Sequence, residues 1–202
     1  RFGTGFNDEA KVTMWYRKPG SDDWMEIVSE AEDFEMVSPV YIASDSNKGF
    51  ISTNQDRDTR AILRYDFLKG KQGDKPVLAD ETYDINGVIT SFGGEGLVGF
   101  RYEAEKPKQV YFEKSHRAVQ ELIDKALPDT YNMVSSVDEA GTRLVIYSFS
   151  DTMAPRYHLL DLTTMKMEPL AMSMPWLEDI ELAPDLPVSY EARDGRTIHG
   201  YL

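Results

Sequence analysis

The side chains in this chain able to do chemistry are three histidines, a large set of carboxylates and a few arginines. Cysteine is absent, so disulfides, thiolate metal sites and a cysteine nucleophile are excluded within the segment. His116, His158 and His199 fall in a helix start, a strand pattern and a terminal hairpin pattern. A histidine acting as general base needs a nucleophile within hydrogen-bond reach, and no Ser beside them sits in an elbow context, so each is read as structural or solvent-exposed. Neither a His-x-x-x-His nor a His-Glu-x-x-His spacing occurs, which removes the common zinc arrangements. No Gly-x-Ser-x-Gly elbow occurs either. No catalytic residue, no metal ligand and no cofactor site is assigned.

The carboxylates Glu30, Glu32, Asp33 and Glu35 read as solvated acidic surface, and Asp56-Arg-Asp58 is only a stub of a calcium loop. Asp66 and Asp161 end equivalent strand patterns and read as turn formers whose side chains accept nearby backbone N–H groups. Trp15, Trp24 and Trp176 read as packing between sheets rather than as a stacking surface for sugars. Three charged residues are binding candidates: Arg57, Arg101 and Glu103. A guanidinium fork fits a carboxylate and a carboxylate fits an ammonium, so such a set can hold the charged ends of a ligand if the fold gathers it on one face.

Composition narrows the partners. The chain has 202 residues, 41% apolar and 28% charged, enough for one or two ordinary domains. A net charge of −13 opposes phosphate backbones and anionic lipid, so nucleic acid is not an expected partner. No apolar run approaches the roughly 18 residues of a membrane span. Compartment is not fixed by these numbers; periplasmic or cytoplasmic settings both fit, with the periplasm slightly favoured for a bacterial protein.

The elements that must position these residues follow from a repeat. Glycine precedes a strand-like run at Gly49, Gly96 and Gly141, at spacings of 47 and 45 residues. Tyr65, Tyr111 and Leu160 lie in a second set of strand patterns, 46 and 49 apart. Each unit holds short strands divided by turn residues. The first predicts strands over 40–43, 49–53, 61–66 and 76–79, the second over 87–91, 97–102 and 109–113, and the third over 132–137, 142–149, 156–161 and 167–171. Four short strands per roughly 45 residues describe a β-propeller blade. In the second unit, residues 115–127 have helical spacing, with Ala118, Val119, Leu122, Ile123 and Ala126 on one stripe, Ser115 as cap and Pro128 as stop.

The expected fold is therefore all-β: a partial β-propeller of about three four-stranded blades plus half a blade, with one inserted helix. Residues 1–186 form the propeller part. Within it, 1–36 supply the outer two strands of an incomplete blade whose inner strands are missing, and 37–82, 83–129 and 130–172 are the blades. The connections 54–59, 101–106 and 150–155 would join second to third strands and place Arg57, Arg101 and Glu103 on one face. Residues 187–202, with the turn Asp194-Gly195, form a hairpin that expects a further sheet.

The string Pro187-Val-Ser-Tyr-Glu-Ala-Arg-Asp-Gly-Arg-Thr-Ile-His-Gly-Tyr-Leu202 resembles a junction in the serine peptidases of the prolyl oligopeptidase type, where the chain leaves a propeller and enters an α/β-hydrolase domain. Val98-Gly-Phe-Arg-Tyr-Glu103, Tyr111-Phe112 with the helix after it, Gly141-Thr-Arg-Leu-Val145 and Met174-Pro-Trp-Leu177 are similar to the last blades of bacterial members. The resemblance implies that the Ser-Asp-His triad lies on a hydrolase domain beyond Leu202, the segment's own partner. It also implies that the propeller restricts access of peptide substrates, whose terminal charges Arg57, Arg101 and Glu103 would meet. By this reading the segment is inert alone and its open blade edges invite self-association. The alternative is a propeller scaffold or binding module without enzymatic activity.

Overall fold

A computed structural model describes residues 1–6, 12–28, 37–94 and 96–202, so the acidic cluster Glu30, Glu32, Asp33 and Glu35 lies outside the described residues. The chain divides into two compact units. The first comprises residues 1–90 and 96–112; the second comprises 91–95 and 113–202.

The first unit holds three antiparallel sheets. Strands β1 (Phe2–Phe6), β2 (Val12–Arg17) and β3 (Trp24–Val28) pair in that order. Sequence reading finds β2 and β3 but misses β1, whose Gly-Thr-Gly core has little strand propensity; its register against β2, from Phe2 opposite Tyr16 to Phe6 opposite Val12, supplies what propensity does not. The next sheet is β4 (Val37–Ile42), β5 (Lys48–Thr53), β6 (Ala61–Asp66) and β7 (Lys71–Gln72). Its last strand differs from the predicted 76–79. Gln72 pairs with Tyr65 and Lys71 with Asp66, the Gly73 N–H donates to the Arg64 carbonyl, and the chain then bulges before Leu78 bridges Ile62. Pro76, which has no N–H to give a ladder, sits in the bulge.

This four-stranded sheet is covered on both faces, which is why Ala61-Ile-Leu-Arg-Tyr65 reads as apolar almost throughout. Ile51, Ala61, Leu63 and Tyr65 pack with Tyr16 and Phe67. Ile62, on the opposite face, joins Ile85, Phe100, Tyr102 and Ala104. Gly49 is required by the pairing: a Cβ there would collide with the Tyr41 carbonyl oxygen. The third sheet is β8 (Gly87–Thr90), β9 (Leu97–Glu103) and β10 (Pro107–Tyr111), with β9 central.

In the second unit, helix α1 (Lys114–Ala126) follows β10 in the chain, where the repeat would call for a fourth strand. Its cap is Glu113 rather than Ser115, and Glu113 makes no side-chain capping bond. Val119, Leu122 and Ile123 bury against Leu144, Ile146 and Leu160 of a four-stranded sheet, while Ala118 and Ala126 face solvent. That sheet is β11 (Tyr131–Val137), β12 (Arg143–Ser150), β13 (Met153–Asp161) and β14 (Lys166–Met172), paired in chain order. A polar cluster fixes helix to sheet. The Gln120 side-chain amide donates to the Asn132 carbonyl at 2.9 Å, the Asn132 amide donates to Asp124 and to the Leu127 carbonyl, each at 3.1 Å, and the Ser148 hydroxyl donates to Asn132 Oδ1 at 2.7 Å. Strands β15 (Pro187–Glu191) and β16 (Thr197–Tyr201) form the terminal hairpin, a separate two-stranded sheet.

Candidate functional site

Two of the three binding candidates share one strand face. Along β9 the side chains alternate, so Phe100 and Tyr102 are buried while Arg101 and Glu103 point to solvent. Arg101 stands opposite Gly87 on β8 and Gln109 on β10. Its side chain runs across Gly87, where a Cβ would come within 2.5 Å of Arg101 Cγ. The glycine is the groove in which the arginine lies.

The predicted loop setting of Arg101 and Glu103 is corrected here. Both are strand residues, and the connection proper spans 104–106. The other two connections that sequence reading treats as equivalent span 54–60 and 151–152, so the three differ in length and the set is not a repeated loop. Arg57 is exposed at the tip of the longest, in a turn where its N–H donates to the Asn54 carbonyl and Asp56 adopts a positive φ of 57°. The structure thus pairs Arg101 with Glu103 and leaves Arg57 on a turn of another sheet.

On the buried face of β9 lies a network that sequence reading misses. Asp80 Oδ1 accepts the N–H groups of Thr82 and Tyr83 at 2.9 and 3.1 Å, while Asp80 Oδ2 accepts the Tyr102 hydroxyl at 3.2 Å. Lys108 Nζ lies 5.7 Å from the centre of the Tyr102 ring. The N–H of Thr82 leads the effects that hold the Asp80 carboxyl below its ordinary range; burial pushes the Tyr102 hydroxyl up. Asp80 anchors the back of the strand that presents Arg101 and Glu103. Only its spacing before Thr82 and Tyr83, an Asx-turn pattern, could have signalled it.

Two histidines take packed settings and the third faces solvent. His116 accepts the Phe92 N–H through Nε2 at 3.4 Å and its ring lies 4.3 Å from that of Phe92. His158 is half-buried in β13; burial, aided by Arg156, lowers its affinity for a proton. His199 is exposed. Asp66 accepts the N–H groups of Leu68 and Lys69, and Asp161 those of Thr163 and Thr164, as their turn-forming roles require. Two of the three tryptophans depart from the packing expected of them: Trp24 and Trp176 are exposed, Trp24 carrying Arg17 over its ring at 5.5 Å, whereas Trp15 is half-buried. Among the described residues no group of three or more metal-ligating side chains converges, and no helix is long and apolar enough to cross a membrane.

Sheets of three and four antiparallel strands in succession, each a meander, are the architecture of propeller blades. Comparison with known proteins agrees. No family model matches the chain. It is 26% identical over 174 residues to dipeptidyl aminopeptidase BIII of Pseudoxanthomonas mexicana, an alignment that covers 85% of this chain and 24% of the relative. A solved prolyl endopeptidase superimposes over 98% of this chain and 30% of its own, with TM-score 0.51 and 13% identity. The prolyl oligopeptidase B of Galerina marginata, bound to a 25mer macrocyclization substrate, gives the same TM-score, identity and coverage. Fold and sequence likeness together support a segment of the prolyl oligopeptidase type that covers the propeller region. The chain spans about a quarter of the length of the curated relative it matches.

Proposed function

We propose that the chain is a non-catalytic propeller segment of a serine peptidase, of the acylaminoacyl, dipeptidyl or prolyl oligopeptidase-like kind, that hydrolyses short peptides. The observation that supports this best is the likeness to a dipeptidyl aminopeptidase along 174 residues, carried across successive sheets rather than in one motif. In this reading acyl transfer occurs on a following α/β-hydrolase domain, to which the β15–β16 hairpin leads. The hairpin's exposed Tyr190, Ile198 and Tyr201 are apolar surface that such a domain would cover. The propeller acts by exclusion: its β4–β7 sheet packs side chains on both faces, a stiff element of a wall past which short extended peptides pass and folded proteins do not.

Arg101 and Glu103 are proposed to meet the charged termini of those peptides, with Arg57 supplying a further cation from its turn. Their shared outward face on β9 suits this, because residues two apart on a strand present both charges in one direction. In the full-length protein, Arg101→Ala is expected to lower kcat/KM for unblocked peptides by about tenfold, the scale of one hydrogen bond to a charged group. Unchanged kcat/KM across peptides removes Arg101 from the site.

The decisive experiment labels the full-length gene product with a fluorophosphonate and measures cleavage of peptides of increasing length. A labelled serine and rates that collapse for folded substrates are expected. No labelling makes the chain part of a scaffold or binding module; equal rates on folded and short substrates remove the gating role.

A further inference from the structure

The face of the β4–β7 sheet that carries Ile62 also carries a cavity of about 510 Å³. Cross-strand partners share a face, and two adjacent rows line the space: Tyr41, Phe50 and Arg64 in one, Lys48, Asp66 and Lys71 in the next. The rings of Tyr41 and Phe50 are 6.4 Å apart and tilted 45°, forming an aromatic floor. Lys69 adds a fourth cation at the rim.

Four cations around one carboxylate invert the balance of a chain that has 22 basic and 35 acidic residues. The carboxylate is already engaged, since Asp66 accepts two backbone N–H groups at 3.2 Å and stands 4.0 Å from Lys69 Nζ. Among the described residues, no carboxylate lies within ion-pair distance of Lys48, Arg64 or Lys71, and all three are exposed. Like charges placed together repel, so a ring whose four cations outnumber its one carboxylate, set over aromatic side chains, is suited to an anion. The volume falls within the range of small-molecule sites, and a guanidinium at its wall matches a carboxylate in two-point geometry.

We infer that this cavity binds a small organic anion with a flat apolar body, an aromatic carboxylate, its ring against Tyr41 and Phe50 and its charge among Lys48, Arg64 and Lys71. The inference stands apart from the peptidase reading, because none of these residues belongs to the Arg57, Arg101 and Glu103 set.

Calorimetric titration of the full-length protein with N-acetylphenylalanine, and with its neutral amide, tests it. The carboxylate is expected to bind at least about tenfold more tightly than the amide and to weaken as salt rises from about 0.05 to 0.5 M, since exposed ion pairing is screened over that range. Arg64→Gln combined with Lys71→Gln is expected to cut carboxylate affinity by about tenfold or more while leaving amide binding unchanged. Equal affinity for the two ligands, an unaltered affinity in the double variant, or no heat with either up to about 10 mM overturns the site. The two-ligand comparison needs no variant and holds even where the substitutions disturb folding.

Discussion

His158 and Gly49 show how much one residue's setting decides. In the folded protein His158 holds its proton less tightly than in the open chain, first because it is partly buried and then because Arg156 repels the charged form. A depressed histidine favours the fold fully above its unfolded pKa near 6.5, and that contribution is lost as pH falls through the lower, folded value. His158→Gln is expected to flatten the fall of urea-unfolding stability on the acidic side of about pH 6.5; an unchanged slope would show that the burial has no such consequence. Gly49 is fixed by sterics instead. Gly49→Ala forces β4 and β5 apart at the Tyr41 carbonyl and is expected to cost about 1–3 kcal/mol, the range of overpacked sites, measured by urea denaturation. Neither effect is written in residue type, since histidine and glycine also occupy open positions here, such as His199 and Gly20.

At the scale of elements, helix α1 and the sheet it covers stand or fall together. Ile123, fully buried against Leu144, Ile146 and Leu160, is the apolar half of the contact. Asn132 is the polar half, with its side chain engaged by Asp124, Leu127 and Ser148. Ile123→Ala is expected to lose about 2–5 kcal/mol as a cavity mutation. Asn132→Ala is expected to lose about 1–3 kcal/mol, because Ser148 and the Leu127 carbonyl each lose a partner and keep only the Thr130 hydroxyl. Urea unfolding of both variants checks the pair, and a neutral Asn132→Ala would mean that water replaces the amide. Periodicity in the sequence exposed the helix because its apolar stripe recurs at 3.6 residues. It did not expose Gln120 and Asn132, whose polarity reads as surface until the partner strand is known.

For the molecule as a whole, the sheets end in edge strands that pair on one side only among the described residues, which leaves backbone donors and acceptors to offer. The segment expressed by itself is expected to associate between about 1 µM and 1 mM, the range in which exposed strand edges drive self-association. Sedimentation velocity across that range tests this, and a monomer throughout would show that the edges are protected. If a hydrolase domain covers the β15–β16 hairpin, as proposed above, a longer chain that includes it is expected to associate less.

The repeat, the all-β class, the inserted helix and the likeness to prolyl oligopeptidase-type peptidases were legible in the sequence by itself, because strand alternation, turn residues and helical spacing are local signals. The glycine mark proved to have two causes that only the fold separates. Gly96 and Gly141 take positive φ in turns, whereas Gly49 is a strand glycine against a neighbouring backbone, and its structural counterpart in the next sheet is Gly99. Gly49 faces Tyr65 and Gly99 faces Tyr111, so the tyrosine positions, not the glycine spacing, carried the true register. Tertiary structure alone decided that Arg101 and Glu103 share a strand face apart from Arg57, that Asp80 braces Tyr102, and that Lys48, Arg64 and Lys71 surround one cavity. Cross-strand neighbours can be many residues apart in the chain, and the register that joins them is set by packing on both faces of a sheet rather than by any one strand.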